Sequence, residues 1–319
     1  MQPRQPNDNQ RNKMLITIGI IACTAVLIIS LILLGRYLID YALSKRMDAM
    51  LASQYHSQEA QNALPAVEAP LSQPILDPNR TADVLPIDTP NVAAAAIGPR
   101  ATYDPFGGYP GNPTRQVAEK FIGLQKTNKD ICAWVSIDTV LDQAVVQRDN
   151  EYYLRRDYTG QANTNGAIFL DEAVKLTQRP TCYILYGHNM KTGAMFGMLH
   201  HYETLAYLRQ HPIVTFDTMY EDGEFAIFAV GRVSITGGTS AFVDYYHLPK
   251  ADTVNRERII SLLKKNSDFR IPLEIDTDDQ LLILVTCTGD DTERRFVAAR
   301  RLRDGENAKS LNMTYLLAE

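Results

Sequence analysis

The chain has 319 residues, of which 45% are apolar and 22% are charged, enough to bury the core of one good-sized domain and leave further segments outside it. The formal net charge is −5, but residues 1–46 carry +4 and the remainder carries −9. An acidic main part argues against nucleic acid, and against an anionic membrane surface, as its binding partner.

The first predicted element is an uncharged apolar segment at residues 15–34, LITIGIIACTAVLIISLILL. A helix of this length spans about 30 Å, the thickness of the hydrocarbon core of a bilayer. It is longer than the apolar part of a cleaved signal peptide, and no A-x-A cleavage pattern follows it. A lipoprotein cleavage box at residues 20–23 is a weaker alternative, because the apolar run continues well past Cys23. We therefore predict a transmembrane signal anchor at residues 15–35, after a short cytoplasmic N-terminus at residues 1–14.

The orientation of the anchor follows from the basic residues around it. Three basic residues precede the apolar segment and three follow it before residue 47, so the charge bias is weak. The short basic N-terminus still favours the cytoplasmic side for that end of the chain. The prediction is a single-pass protein of the cell membrane whose folded part lies on the extracytoplasmic face.

Residues 36–113 show no apolar period that would assign them to a core. Their first part can continue the helix as a stalk, whereas prolines recur every few residues between 65 and 113. Proline removes a backbone donor and clashes with the preceding turn, so a helix cannot persist there. We predict a stalk followed by a Pro-rich tether, which leaves residues 114–319 as the folded domain.

Within residues 114–319, short runs with β character alternate with helical patterns. One helix is predicted to begin at Thr114, and two more helical patterns cover residues 194–210 and 253–266. This arrangement predicts a mainly β barrel or sandwich with helices on its outside. The eight predicted strands are residues 132–137, 144–147, 166–170, 182–187, 213–216, 224–236, 281–286 and 295–302.

Three cysteines lie outside the anchor: Cys132, Cys182 and Cys287. An odd number in an exported domain leaves at least one thiol unpaired. No C-x-x-C spacing is present, so a zinc site is disfavoured. Cys132 and Cys182 border apolar runs and are predicted core residues, whereas Asp290 and Asp291 are typical of a solvated loop. No metal or cofactor is predicted.

Cys287 and His188 each follow an apolar strand. The run LLILVT at residues 281–286 leads to Cys287, and CYILYG at residues 182–187 ends immediately before His188. The thiolate is the nucleophilic form of cysteine, and a free thiol has a pKa of about 8.5. A neighbouring imidazole can take the proton and return it to a leaving amine. A cysteine at a strand end is, taken alone, more often inert, so the pairing with His188 matters.

An arginine can stabilise the oxyanion that forms during acyl transfer. Arg295 begins the predicted strand after Cys287, and the short loop between them favours a hairpin that returns Arg295 toward the thiol. Its guanidinium is always charged and donates in a planar fork. Strand alternation predicts that Arg294 points to the opposite face.

These motifs resemble the sortase family, and class B in particular. The segments YGHNMKTGAMFGML, LVTC and RFVAARRL occur in the order His, Cys, Arg, and the block at residues 130–171 with its Trp, VVQ and GAIFLD is also similar to class B. The helical pattern at 253–266, before the cysteine strand, is another class B feature. The resemblance covers residues 114–319 and implies an eight-stranded sortase β barrel as the catalytic domain.

The resemblance implies a cysteine transpeptidase that cleaves a C-terminal sorting signal after its Thr. Cys287 would hold the acyl group as a thioester, His188 would be the acid and base, and Arg295 would position substrate and stabilise the oxyanion. Thr286 and Asn189, which adjoin Cys287 and His188, are candidate substrate-binding residues. The implied substrates are surface proteins with an Asn-Pro-x-Thr signal or a close variant, and no cofactor is implied.

Several functions stay open from the sequence. The acceptor can be an amine of peptidoglycan, as in cell-wall anchoring, or a lysine amine of another subunit, as in a pilus-type sortase. A catalytically idle binding module on a membrane tether is a third reading, disfavoured by the intact trio. A papain-like protease is disfavoured because its cysteine precedes its histidine, the reverse of the order here.

Overall fold

The computed structural model describes residues 8–62, 108–237, 243–288 and 292–319. Most of the predicted tether, and Asp290 and Asp291, lie outside these ranges. The helices are α1 (Asp8–Asn62), α2 (Glu119–Thr127), α3 (Leu205–Gln210), α4 (Thr253–Lys265) and α5 (Asn312–Leu316), with 3₁₀ helices at Tyr152–Arg155, Phe196–Glu203 and Tyr245–Lys250. The strands are β1 (Ile131–Ile137), β2 (Leu141–Val146), β3 (Phe169–Leu170), β4 (Cys182–Tyr186), β5 (Ile213–Thr218), β6 (Glu224–Ser234), β7 (Leu281–Cys287) and β8 (Glu293–Arg301).

The strands of the described residues close into one barrel, in the order β1-β2-β3-β4-β7-β8-β6-β5. This confirms the predicted eight-stranded barrel with helices around it. The neighbours β4 and β7 run parallel, whereas β7 and β8 form an antiparallel hairpin. Parallel strands end at the same edge of a sheet. The carboxyl ends of β4 and β7 therefore meet, and β8 begins beside them.

The barrel core follows from continuous apolar strands. In β7 every residue from Leu281 to Thr286 is buried and only Cys287 is exposed. Helix α4 covers the barrel with Ile259, Ile260 and Leu263, which recur at helical spacing and are all buried. Burial of apolar surface of this kind, at about 25 cal/mol per Å², stabilises the barrel.

Helix α1 contains the predicted anchor and continues well beyond it. Its apolar window is long enough to cross a membrane by length and composition, and none of that window is buried against the protein. Farther along, Ser44, Leu51 and Tyr55 are buried. The ring of Tyr55 stacks on Trp134 of β1, with 4.4 Å between centroids and 8° between planes. Residues 44–58, which we call the docking segment, thus lie against the barrel.

Two predicted helices differ from those observed. The helix expected from Thr114 begins only at Glu119, because Arg115 has φ +53° and Ala118 is extended, with its N donating to Met219 O at 2.9 Å. Already before position 114, Tyr109 is buried and donates to Leu176 O at 3.0 Å. The pattern at 194–210 forms a 3₁₀ helix and then α3, interrupted at Thr204, which has extended dihedral angles.

Candidate active site

Cys287 and His188 are brought together by the parallel pairing of β4 with β7. Tyr186 lies opposite Val285 in this ladder, and Gly187 N donates to Val285 O at 3.3 Å. His188 and Cys287 each follow that pair by two positions, so they leave the barrel at the same edge. Both line one cleft of about 220 Å³. The cleft is lined by Asn150, Leu154, Phe169, Tyr186, Gly187, His188, Tyr246, Val285, Thr286, Cys287 and Arg294.

Cys287 is the accessible thiol of the barrel. It is exposed, whereas Cys132 and Cys182 are buried, and Cys23 lies in the apolar part of α1. Burial raises the pKa of the Cys132 thiol far above its usual range and that of Cys182 to about 12. A thiol kept protonated and out of solvent is inert. The expected core positions of Cys132 and Cys182 are therefore confirmed.

The imidazole of His188 is held by a backbone carbonyl. Its Nε2 lies 2.6 Å from Leu154 O, at the 3₁₀ helix Tyr152–Arg155. A carbonyl oxygen can only accept, so Nε2 carries the proton in this hydrogen bond. The neutral ring then presents Nδ1 as its basic atom. This tautomer suits a group that accepts a proton from a thiol.

The structure places Arg294, not Arg295, in the cleft. In the β7–β8 hairpin Cys287 lies opposite Arg294 and Thr286 lies opposite Arg295, and directly opposite side chains share a face of the sheet. Arg295 is only 4% exposed, binds Glu203 and lies 3.6 Å from Asp268. The prediction that Arg295 faces the thiol and Arg294 faces away is wrong by one position.

The two candidate substrate-binding residues tie the strand ends together. Thr286 is 3% exposed and lines the cleft, but its hydroxyl donates to Gly187 O at 2.7 Å. Asn189 is exposed, and its amide donates to Cys287 O at 2.8 Å. Both hydrogen bonds join the end of β4 to the end of β7. They fix the backbone positions of Cys287 and His188 relative to each other.

The contacts of Tyr186, which also lines the cleft, were not predicted. Tyr186 donates to Asp171 Oδ2 at 2.8 Å and stacks on Tyr246, with ring centroids 6.4 Å apart. Asn150 donates to the same carboxylate oxygen at 3.2 Å. Burial, followed by the nearby Asp171 carboxylate, raises the pKa of Tyr186 far above its usual range, so the phenol stays a donor. The position of Tyr186 two residues before His188 is the one sequence signal for these contacts.

Comparison with known proteins identifies the family of the chain. The model of the sortase domain matches residues 138–302, just over half of the chain. Sortase B of Listeria monocytogenes is 30% identical over 199 residues, which cover 61% of this chain and 76% of that protein.

Two solved structures are also similar to the chain. Sortase B from Bacillus anthracis in complex with AAEK2 is 27% identical with a TM-score of 0.52, and the match covers 59% of this chain and 85% of that one. A sortase B complexed with triglycine is 25% identical with a TM-score of 0.53, over 60% of this chain and 89% of that one. The chain therefore belongs to the sortase family as a class B member, a cysteine transpeptidase with a role in anchoring proteins to the cell wall.

Proposed function

We propose that Cys287 is the nucleophile that cleaves a C-terminal sorting signal after its Thr. The observation that carries the proposal is the exposed thiol of Cys287 in one cleft with His188 and Arg294. Sγ attacks the Thr carbonyl carbon after its proton has passed to His188 Nδ1. The peptide C–N bond then breaks, and the leaving amine takes the proton from His188. A thioester on Cys287 remains.

In the second half of the reaction an acceptor amine attacks the thioester carbonyl. His188 takes the proton of the amine as the new C–N bond forms, and Sγ leaves. The triglycine complex of a related sortase B supports an acceptor of this kind. We propose a peptidoglycan amine as the acceptor and an Asn-Pro-x-Thr signal or close variant as the donor, with the latter drawn from the class B resemblance.

Arg294 takes the role that the sequence suggested for Arg295. It lies opposite Cys287 in the hairpin and lines the cleft, so its guanidinium can donate to the carbonyl oxygen that becomes negatively charged. A preorganised donor of this type stabilises the transition state by about 3–4 kcal/mol. The mostly apolar wall of Leu154, Phe169 and Tyr246 would hold the peptide in place.

The membrane arrangement completes the proposal. Residues 15–35 anchor the chain with its N-terminus inside, residues 36–113 connect the anchor to the barrel, and residues 114–319 act on the extracytoplasmic face. The exposed apolar window of α1 supports the anchor. This topology would bring the enzyme to substrates held in the same membrane.

The test uses the full chain in detergent micelles with fluorogenic peptides that contain Asn-Pro-x-Thr, with x varied. Cys287→Ala abolishes cleavage if the proposal is right, whereas Cys132→Ala and Cys182→Ala retain most of it. With triglycine and Nα-acetyl-lysine offered together, the mass of the product identifies the acceptor. Transfer to triglycine supports wall anchoring, and exclusive transfer to the lysine amine favours the pilus alternative. Full activity of Cys287→Ala contradicts the proposal.

A further inference from the structure

The docking segment makes a polar contact with the barrel through Ser44. The hydroxyl of Ser44 accepts from Asn163 Nδ2 at 3.0 Å and from Asn165 Nδ2 at 3.1 Å. Ser44 is 6% exposed and Asn165 only 1%. Donors at this depth cannot be satisfied by solvent, so the loss of their acceptor leaves them unpaired. One serine, at the start of the docking segment, is therefore the acceptor that two barrel asparagines share.

Asn163 and Asn165 belong to the 156–166 loop, which leads directly to the active site. Asn165 N donates to Asn163 Oδ1 at 2.9 Å, and Gly166 N donates to Asn163 O at 3.2 Å, so this end of the loop is a tight turn. Asn163 N also donates to Arg155 O at 3.0 Å. These bonds tie the loop to the 3₁₀ helix that carries Leu154.

The same turn packs against the catalytic imidazole. Gly166 has φ +63°, and a Cβ on it would lie 3.1 Å from His188 Cδ2 and 2.9 Å from Leu154 O. Leu154 O is the acceptor for His188 Nε2 at 2.6 Å. The ring of His188 is thus held on one side by the Leu154 carbonyl and on another by the Gly166 backbone. Both groups adjoin the loop that Ser44 holds.

We infer that Ser44 is a positioning residue for the transpeptidation reaction: by holding Asn163 and Asn165, the membrane-proximal helix keeps the 156–166 loop, and through it the imidazole of His188, in the reactive orientation. The inference rests on the proposed role of His188 as acid and base. The connection from Ser44 to His188 consists of hydrogen bonds of 3.2 Å or less, which run from Ser44 through the two asparagines to Gly166. The backbone of Gly166 then packs against the ring of His188.

The test compares Ser44→Ala with Ser53→Ala in the full chain, in detergent micelles, with the fluorogenic Asn-Pro-x-Thr peptides. Ser53 lies on the exposed face of the same docking segment, so it controls for loss of a hydroxyl. Misplacement of a catalytic group by about 1 Å costs up to about 10² in rate, and we expect kcat to fall about tenfold in Ser44→Ala with KM within about twofold. The limb of the kcat–pH profile that reports His188 should shift in Ser44→Ala and not in Ser53→Ala.

A second variant weakens the docking of the same segment at a different position, without touching Ser44 or either asparagine. Leu51→Ala removes a buried side chain of the docking segment, so kcat should fall in the same direction and the His188 limb should shift again. If both Ser44→Ala and Leu51→Ala keep the kcat and the pH profile of Ser53→Ala, the inference is overturned, even if their melting temperatures drop. Failure of the proposed function can be distinguished from failure of this inference, because it would appear as an active Cys287→Ala variant in the same preparation.

Discussion

Cys287 and Arg294 lie directly opposite each other in the β7–β8 ladder, and this pairing determines which of two adjacent arginines reaches the cleft. Arg295 lies opposite Thr286 at the next position of the ladder, where it is buried and binds Glu203. The two arginines therefore have different surroundings although they are chemically identical. Arg294 lines the cleft and donates to Glu293 O at 2.8 Å, whereas Arg295 joins β8 to the end of the 3₁₀ helix Phe196–Glu203.

The first prediction separates the two arginines. Arg294→Ala should lower kcat/KM by about 10²–10³, the cost of losing an oxyanion donor. Arg294→Lys should recover only part of this, because lysine keeps the charge without the planar fork. Peptide cleavage by purified variants measures both.

Arg295→Ala is the matched control for that prediction. It removes the buried partner of Glu203 and Asp268, so the melting temperature should fall while kcat/KM of the folded enzyme stays near wild type. The reverse pattern, an inactive and stable Arg295→Ala beside an active Arg294→Ala, would return the oxyanion role to Arg295.

The difference between prediction and structure at this hairpin has a physical cause. Eight strands were predictable because each is a short apolar or β-branched run bounded by turns. Which of Arg294 and Arg295 faces the cleft was not predictable. Strand alternation places the two side chains on opposite faces, but the register of the hairpin decides which face each one takes, and two consecutive arginines carry no apolar pattern that would set the register. The sequence order His, Cys, Arg contains no information on which of the two is used.

The docking segment was missed for a different reason. Its buried positions Ser44, Leu51 and Tyr55 recur at helical spacing, but the residues between them are mixed and the preceding apolar segment dominates the composition. Its partners, such as Trp134 and Asn165, lie about a hundred residues away in the chain. Contacts of that separation leave no local pattern, so the sequence predicts a stalk for residues 36–64.

The second prediction concerns thiol accessibility. Iodoacetamide applied to the native full chain at pH 8 should label Cys287 and leave Cys132 and Cys182 unmodified, because both are buried and burial raises their pKa values. Labelling after denaturation should reach all three. Peptide mass mapping gives the sites, and native labelling of Cys182 with loss of activity would contradict the assignment of the nucleophile.

The third prediction is a pH dependence of docking that arises from Asp48. Burial, and then the charge of Asp157, raise the pKa of Asp48 from its ordinary value of 3.8 to about 7. Its Oδ2 accepts from Gln143 at 3.1 Å, and Tyr158, whose own pKa is raised, faces the same pocket. The Asp48 carboxyl group therefore binds its proton more tightly when the helix is docked than when the helix is free. Docking is therefore strongest at low pH, weakens as pH rises from about 4 to about 7, and changes little above that.

Hydrogen exchange of the docking segment in the full chain measures this effect. Exchange of residues 44–58 should be faster at pH 8 than at pH 5 after correction for the intrinsic rate. Asp48→Asn, which keeps the shape and cannot ionise, should show the same protection at both values. A pH dependence that persists in Asp48→Asn would assign the effect to a different group.

The last prediction isolates the contact between the 156–166 loop and His188. Gly166 and Gly160 both lie in this loop with positive φ, at +63° and +80°, so alanine is strained at either position by about 1–2 kcal/mol. They differ in what a new Cβ would meet. At Gly166 it would lie 2.7 Å from Tyr153 O, 2.9 Å from Leu154 O and 3.1 Å from His188 Cδ2, whereas at Gly160 the nearest atom is the Tyr152 hydroxyl at 3.3 Å.

Because the backbone strain is matched, the difference between Gly166→Ala and Gly160→Ala reports on His188. Both variants should lose stability, measured by thermal melting. Only Gly166→Ala should displace the imidazole and its Leu154 acceptor, so its kcat should fall by at least about tenfold more than that of Gly160→Ala. Assays are run well below both melting temperatures so that each variant is folded. Equal kcat values for the two variants would mean that the packing of Gly166 against His188 has no part in the reaction, and that the ring is oriented by the Leu154 carbonyl alone.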